Sequence, residues 1–248
     1  MDYRGNTESM TAYEVTGGVY PHINGEVARY LRHNAWPAPA ANDITLGYEL
    51  TFNDSAASGG GIYINEYTFV IDILVPNDIA YVPLFQTNID NENDADWYIA
   101  PDGSFGIAQL GYTDAGLISA NTWYRLGLAA NLETNDIRYY LNGALVFTST
   151  NTEDLVDGRF AILSNADPGA DLLLFNENDA SDNYSHAALY NSIGFFDRAL
   201  STAEVNAIGS VSAAGIPVPE PAVAFLLSSL LALRLLAGRR TRQCAIDF

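Results

Sequence analysis

Residues 123–147 read WYRLGLAANLETNDIRYYLNGALVF, and this stretch decides the fold class of the chain. In its first part, Tyr124, Leu126 and Leu128 fall on one face of an extended strand, because side chains alternate between the two faces. In its second part, Asn142-Gly143 lies between two apolar runs and offers the two positive-φ residues of a type I′ turn. The stretch therefore predicts a strand followed by a β-hairpin, which is typical of an antiparallel sheet.

Similar patterns continue along the body of the chain, where aromatic and β-branched runs are separated by turn residues. The predicted strands cover residues 26–33, 44–52, 67–75, 81–86, 97–100, 105–109, 122–130, 137–141, 144–149, 159–163, 172–175 and 187–196. Asp102-Gly103 predicts a second hairpin with the same type I′ turn. One helix is predicted, which opens with a capping box from Ser201 to Glu204 and ends near Gly209. Together these elements predict an all-β fold, an antiparallel β-sandwich.

The composition excludes several classes of function. The chain has 248 residues and a formal net charge of −19, and its basic residues are all arginine. This length suits one all-β domain with short appendages. A surface of that charge repels phosphate backbones, so we expect no nucleic-acid partner. The single cysteine, Cys244, lies near the C-terminus, so the body of the protein contains neither a disulfide nor a thiol nucleophile.

Three motifs resemble one known family. They are Trp123-Tyr124-Arg125-Leu126, Tyr140-Leu141-Asn142-Gly143, and Phe196-Asp197-Arg198-Ala199-Leu200-Ser201 leading into Glu204-Val205. These motifs resemble the concanavalin A-like, laminin-G type of jelly roll over residues 13–209, and residues 210–217 follow as a linker of mostly small residues. The resemblance implies a central strand with its partner hairpin, and a closing strand with a small helix beneath it. Because one fold hosts lectins, adhesion modules and glycoside hydrolases, the ligand stays open.

The last thirty residues have a three-part order. Val218-Pro219-Glu220-Pro221 precedes an apolar run over residues 222–238, and Arg239, Arg240 and Arg242 follow it. A helix of about seventeen residues rises roughly 25 Å, which is the short end of what crosses a membrane. Arginines in a short flanking segment stay on the cytoplasmic side, which places the main body outside.

This order resembles the PEP-CTERM sorting signal of Gram-negative bacteria over residues 218–242. The resemblance implies transient anchoring in the inner membrane through a transmembrane helix, cleavage by an exosortase-type enzyme, and delivery to the cell surface or extracellular matrix. A permanent C-terminal membrane anchor is the alternative. Residues 1–6 show neither the basic start nor the apolar stretch of an export signal. Either such a signal lies upstream of them, which we expect because the C-terminal pattern is the more specific one, or the export interpretation is wrong.

We expect no catalytic residues and no enzyme. The hydrolase branch of the family that the chain resembles places carboxylates in the pattern Glu-x-Asp-x-x-Glu, which does not occur here. The nearest arrangement, Glu66 and Asp72, is separated by roughly 20 Å along a strand. Retaining hydrolysis instead needs carboxyl groups ~5–5.5 Å apart. A glycoside hydrolase of the same fold stays as an alternative.

Two acidic segments are candidate calcium sites, because carboxylate and amide oxygens are the ligands that calcium prefers. The candidate ligands are Asn176, Glu177, Asp179 and Asp182 in one segment and Asp90, Asp94 and Asp96 in the other. Neither segment matches the twelve-residue EF-hand loop. Ordinary exposed turns are the alternative, since Asp and Asn are common there.

Exposed aromatic rings would mark a carbohydrate site. Trp97 and Trp123 fall in predicted strands and are expected in the core, which leaves Trp36 as the candidate ligand contact. The sequence therefore predicts an exported surface or extracellular-matrix protein with a non-catalytic, lectin-like domain that binds extracellular polysaccharide or another glycan. A purely structural matrix component is a further alternative.

Overall fold

Fourteen strands and one helix make up the part of the chain that the structure describes. The computed structural model describes residues 2–3, 12–14, 22–26, 29–33, 47–50, 57–87, 95–162, 172–176 and 186–217. The chain divides into one unit at Met1–Ile216 and another at Pro217–Phe248. In the second unit only Pro217 is described, so the fold below is that of the first.

The strands pair throughout as antiparallel neighbours in two sheets. In chain order they are β1 (Asp2–Tyr3), β2 (Ala12–Glu14), β3 (Arg29–His33), β4 (Tyr48–Leu50), β5 (Glu66–Leu74), β6 (Val82–Gln86), β7 (Asp96–Ile99), β8 (Phe105–Ile107), β9 (Gly111–Tyr112), β10 (Trp123–Asn131), β11 (Asp136–Leu141), β12 (Ala144–Thr148), β13 (Leu172–Leu174) and β14 (Ala188–Phe196), followed by α1 (Thr202–Ile208). The first sheet has the order β1-β4-β13-β6-β7-β8-β9, and the second has β12-β11-β10-β5-β14-β3-β2. The predicted all-β antiparallel sandwich is confirmed.

The core lies between the two sheets and is built by alternation along the strands. In β5, Tyr67, Phe69 and Ile71 belong to the central cluster of buried side chains, whereas Thr68 and Val70 lie on the opposite face of the sheet, where they are also buried. Trp97 lies in this cluster, fully buried, with its ring centroid 6.0 Å from that of Phe69. Trp123 is also buried, in a smaller cluster, so the expectation that these two tryptophans are internal is confirmed.

One core residue has an unusual backbone. Phe175 has φ +65, a left-handed conformation that costs a bulky residue about 1–3 kcal/mol. The kink turns its ring into the core directly after Leu174, where regular alternation would send it outward. There the ring stacks on Tyr190 with centroids 3.8 Å apart and planes 12° apart. Burial of a phenylalanine contributes about 1.5–3 kcal/mol, which offsets the backbone strain.

The two predicted hairpin turns have different outcomes. Asn142 and Gly143 have φ +51 and +82, as a type I′ turn requires. The type I′ prediction for Asp102-Gly103 is wrong, because only Gly103 has a positive φ, at +77. The Gly103 amide donates to the Ala100 carbonyl at 2.9 Å, so Pro101 and Asp102 are the central residues of the turn. Pro101 causes the difference, since its fixed negative φ suits the first central position of a type I turn.

The predicted strand over residues 159–163 is also wrong. The described part, 159–162, consists of turns with one isolated bridge between Ile162 and Ile64. Asp157 has a left-handed backbone, with φ +54, and the Gly158 carbonyl accepts from the Ala161 amide at 3.0 Å, so the chain turns here. The carbonyls of Arg159 and Phe160 accept from the hydroxyls of Thr87 and Tyr67, so side chains take the acceptors that a strand ladder would use.

Helix α1 forms as predicted. Ser201 caps it, with its Oγ accepting from the Glu204 amide, while a Glu204 carboxylate oxygen accepts from the Ser201 amide at 2.9 Å. Hydrogen bonds from Arg198 and then from Ser201 lower the pKa of Glu204 to about 2. This carboxylate therefore supports the cap at neutral pH, and its contribution disappears only as the pH falls towards that value.

Gly103 and Gly116 both have a positive φ, but only Gly103 has another part of the chain packed against its Cα. A Cβ on Gly103 would lie 2.5 Å from the Ile118 carbonyl oxygen, whereas a Cβ on Gly116, at φ +78, would meet no atom within 4 Å. Gly116→Ala should lower the free energy of unfolding by about 1–2 kcal/mol through backbone strain alone. Gly103→Ala should lower it by about 1–3 kcal/mol more through the clash. Urea unfolding of both variants measures the difference, and equal losses would contradict the described approach.

Candidate functional site

The outer face of the second sheet carries two small apolar clusters with a charged pair between them. One cluster contains Leu74, Trp123 and Leu189 with residues from outside the strands, and the other contains Ala129 and Tyr140 beneath α1. Between them, Asp72 on β5 pairs directly with Arg125 on β10. The sheet thus presents an apolar end, a charged centre and a second apolar end.

The charged pair is buried and fully engaged. The Asp72 and Arg125 side chains are 0% and 3% exposed. Arg125 Nε donates to Asp72 Oδ1 at 2.6 Å and Nη2 donates to Oδ2 at 2.7 Å, while the Ser192 hydroxyl donates to Oδ2 at 2.7 Å. This two-bond geometry is the strongest form of an arginine–carboxylate contact. Each partner supplies hydrogen bonds to the other in the interior, where no water reaches them.

The remaining donors of Arg125 hold the segment that follows α1. Nη1 donates to the Ile208 carbonyl at 2.8 Å, and Nη2 donates to the Gly215 carbonyl at 2.9 Å. Residues 210–216, within the predicted linker, lie against the sheet between and beyond these points. Val211 is buried in the cluster of Trp123, and Ile216 packs against the cluster beneath α1. We call residues 210–216 the C-terminal strap.

A cavity of about 250 Å³ opens beside the strap. Its described lining residues are His22, Ile23, Asn24, Asn121, Thr122, Trp123 and Val211. The cavity, which we call the Trp123 pocket, joins three regions: the turn at residues 22–26, the start of β10 and the strap. None of these lining residues carries a permanent charge, although the chain as a whole is strongly acidic.

Two asparagines give the pocket its polar rim. Asn24 and Asn121 have φ +53 and +58, a left-handed conformation that asparagine tolerates better than most residues. Asn24 Nδ2 donates to the Val211 carbonyl at 3.0 Å, and Asn121 Oδ1 accepts from the Asn77 amide at 3.3 Å. These bonds leave Asn24 Oδ1 as an acceptor and Asn121 Nδ2 as a donor at the pocket. The rim can therefore pair with groups that both donate and accept, such as hydroxyls.

The carboxylates that come closest to a catalytic pair have structural partners. Glu66 Oε1 accepts from the Ala199 amide at 3.2 Å, and Asp72 is held by Arg125 and Ser192. A second well-bonded carboxylate, Asp157, accepts from Asn65 and from the amides of Ile62 and Tyr63. Burial opposes the charge of Asp157, but these hydrogen bonds outweigh it and lower the pKa.

Most of the residues predicted as sites lie outside the described residues. These are Trp36, Asp90, Asp94, Glu177, Asp179, Asp182, the motif Val218-Pro219-Glu220-Pro221, and Arg239, Arg240 and Arg242. Of the described candidates, Asp96 begins β7 and the fully buried Asn176 follows Phe175. Within the described ranges, no group of three or more His, Cys, Asp or Glu side chains is placed to hold a metal. The calcium sites stay a prediction.

The predicted membrane segment, residues 222–238, also lies outside the described residues. In the ranges that are described, no helix is long and apolar enough to cross a membrane.

Sequence reasoning missed both the Asp72–Arg125 pair and the Trp123 pocket. The pair left one usable signal: a single acid and a single arginine near the middle of two otherwise apolar predicted strands, 67–75 and 122–130. A charge in such a position needs a partner. The pocket left none, because its three regions are far apart in the chain.

No protein-family model matches the chain, and no curated protein matches it. Many solved structures are similar to it, among them the following three. The carbohydrate-binding module CBM40 of an IT-sialidase from Ruminococcus gnavus, bound to α2,3-sialyllactose, has 15% identity and a TM-score of 0.49 over 72% of this chain and 98% of that one. Domain 4 of AbnA, an extracellular arabinanase from Geobacillus stearothermophilus in complex with arabinotriose, has 13% identity and a TM-score of 0.45 over 80% and 86%.

The third similar structure is a heptameric SAP-like pentraxin from Limulus polyphemus. It has 16% identity and a TM-score of 0.43 over 58% of this chain and 69% of that one. At such low identities and TM-scores, these likenesses assign neither a ligand nor an activity to this chain.

Loss of either partner of the buried pair should destabilise the protein strongly. Asp72→Ala and Arg125→Ala should each lower the free energy of unfolding by about 3–5 kcal/mol, because the remaining charge stays buried without its partner. The matched control is Arg198→Ala, which removes an exposed pair with Glu204 and should cost about 0–1 kcal/mol. Urea unfolding measures all three. Losses below 1 kcal/mol for the Asp72 and Arg125 variants would show that the pair contributes little to the stability of the fold.

Proposed function

We propose that the domain is a lectin-like, non-catalytic module with a jelly roll of the concanavalin A-like type, and that it binds glycan in the Trp123 pocket. The single observation that supports this most is the chemistry of the described lining: two asparagines, a threonine and a histidine beside a tryptophan, with no carboxylate, lysine or arginine among them. Sugars present hydroxyls and apolar C–H faces together. Amides and hydroxyls suit the first, and aromatic and aliphatic side chains suit the second.

Two residues that line the pocket are held in place before any ligand binds. Trp123 is fixed by its place in β10 and by the ring of Tyr30, whose centroid lies 6.2 Å away. Asn121 is fixed by its backbone bond to the Val75 carbonyl at 2.8 Å and by its side-chain bond to Asn77. Side chains held in this way lose little freedom when a ligand arrives, which favours affinity.

The absence of catalysis is part of the proposal. A glycosidase needs one carboxylic acid and one carboxylate that both reach the scissile bond. Glu66 and Asp72 lie six residues apart on β5, and both hold parts of the fold through hydrogen bonds. Both oxygens of Asp72 accept hydrogen bonds inside the fold, from Arg125 and Ser192, which supports a structural role for it.

Binding of a glycan array by the whole chain tests the proposal. Asn24→Ala and Asn121→Ala should each weaken binding of the best glycan about two- to tenfold, because each removes a polar group of the rim together with the bond that positions it, to Val211 or to Asn77. The matched control is Asn206→Ala, an exposed asparagine on α1 that does not line the pocket. Titration calorimetry gives the affinities. If binding survives both pocket substitutions but disappears with Trp36→Ala, the glycan site includes Trp36. That result would contradict the proposal that glycan binds in the Trp123 pocket.

We also propose that the protein is exported and processed by an exosortase-type enzyme, since its C-terminal order of motif, apolar run and arginines resembles a sorting signal. Delivery to the cell surface or matrix would bring the domain to extracellular polysaccharide. Mass spectrometry of surface material should find peptides that end close to Val218-Pro219-Glu220-Pro221 and none from residues 225–248. Intact tails in that material would contradict processing and would favour a permanent anchor.

A further inference from the structure

One wall of the Trp123 pocket comes from the C-terminal strap. Val211 is 7% exposed and packs with Ile23, Trp123 and other members of the same cluster. Its carbonyl accepts from Asn24 Nδ2 at 3.0 Å, across 187 positions of sequence. The turn at residues 22–26 and the strap therefore form two sides of the pocket that are joined to each other. Displacement of the strap would open the pocket and remove the partner of Asn24.

The strap is held by few bonds compared with a strand. Arg125 bonds the carbonyls at Ile208 and Gly215, immediately before the strap and near its end. Among the described hydrogen bonds of the strap, only those of the Val211 and Gly215 carbonyls reach distant residues, and the others are local, such as that from the Gly215 amide to the Ser212 carbonyl at 2.9 Å. A segment with few long-range hydrogen bonds opens at a lower free energy than the sheet beneath it. The strap is thus a wall that can move without unfolding the sandwich.

The size and charge of the pocket select one class of ligand. Its volume of about 250 Å³ is slightly below that of typical sites for drug-sized molecules, which begin near ~300 Å³. This space suits one sugar ring rather than several. The described lining contains no lysine or arginine to pair with an acidic sugar, and the net charge of −19 disfavours anions near the surface.

We propose that the Trp123 pocket takes a single neutral pyranose ring and that the bound ring holds the C-terminal strap against the sheet. This proposal rests on the proposed function of the Trp123 pocket. It adds the class of ligand and the effect of the bound ligand on the C-terminal strap. The strap lies against the sheet in the docked state and is displaced from it in the undocked state. A sugar ring that contacts Val211 only in the docked state binds that state better. By linkage, binding then favours docking, and docking favours binding by the same factor.

In this arrangement Arg125 is a positioning residue. It does not line the pocket, and it acts through the carbonyls that fix the strap. A substitution that loosens the strap should therefore weaken sugar binding although every residue that lines the pocket is unchanged. Arg125→Lys is the sharpest such change, because lysine keeps the charge but cannot form the forked set of bonds.

Hydrogen exchange followed by mass spectrometry, on the full chain with glucose, galactose, mannose and glucuronic acid as probes, tests the proposal. With a bound neutral sugar at about ten times its Kd, peptides covering residues 208–216 should exchange about tenfold more slowly. Arg125→Lys should speed exchange in those peptides without sugar, and it should weaken binding about threefold or more. The matched control is Arg138→Lys, which affects bonds to Leu200 and Thr202 at the start of α1 and should leave both readouts unchanged.

The outcomes separate this proposal from the one it rests on. If neutral sugars bind but exchange at residues 208–216 does not change, the coupling is overturned while glycan binding stands. If glucuronic acid binds better than the neutral sugars, the ligand class is wrong. If no probe and no arrayed glycan binds, the proposed function fails and the coupling fails with it. Near-ultraviolet circular dichroism of Arg125→Lys shows that the variant is folded, so that weak binding is not mistaken for unfolding.

Discussion

Asp72 and Arg125 face each other on adjacent central strands of the second sheet, where water is excluded from both. A buried charge is tolerated only when its hydrogen-bonding groups are used. Asp72 uses Ser192 as well as Arg125, and Arg125 uses the carbonyls of Ile208 and Gly215 as well as Asp72. The pair therefore bonds the end of α1 and the C-terminal strap to the sheet, and the two carbonyls add to the hydrogen bonding of Arg125. The outer face of the sheet depends on this reciprocal arrangement.

The parts of the fold that depend on neighbouring residues could be predicted from the sequence. The turn at Asn142-Gly143 and the cap at Ser201 follow from a few adjacent side chains, and both formed as expected. The errors arose where a neighbour changed the outcome: Pro101 altered the turn before Gly103, and a turn at the left-handed Asp157 replaced the start of the strand expected over residues 159–163. The pairing of Asp72 with Arg125 needs the register between β5 and β10, which residue types alone do not provide.

The candidate site was beyond sequence reasoning for a related reason. Residue type pointed to the acidic segments and to Trp36, because those residues have recognisable chemistry wherever they lie. The Trp123 pocket instead has ordinary lining residues, and it exists only because the sheet brings the turn at residues 22–26, the start of β10 and the C-terminal strap together. Even the small residues of the strap have two interpretations. They suit a linker, and they also allow close approach, as where Gly215 lies against Ser192.

The contacts of Ile216 and Gly215 have a mechanical consequence for a domain held by its C-terminus. Ile216 lies near Gly194 on β14, and Gly215 is bonded to Arg125 on β10, so both contacts are with inner strands of the seven-stranded sheet. Tension on the chain would enter the sheet at its middle, where each strand has two neighbours, and not at an edge strand that can be peeled away one bond at a time. The hydrogen bond from Arg125 to the Gly215 carbonyl would be among the first contacts to resist that tension.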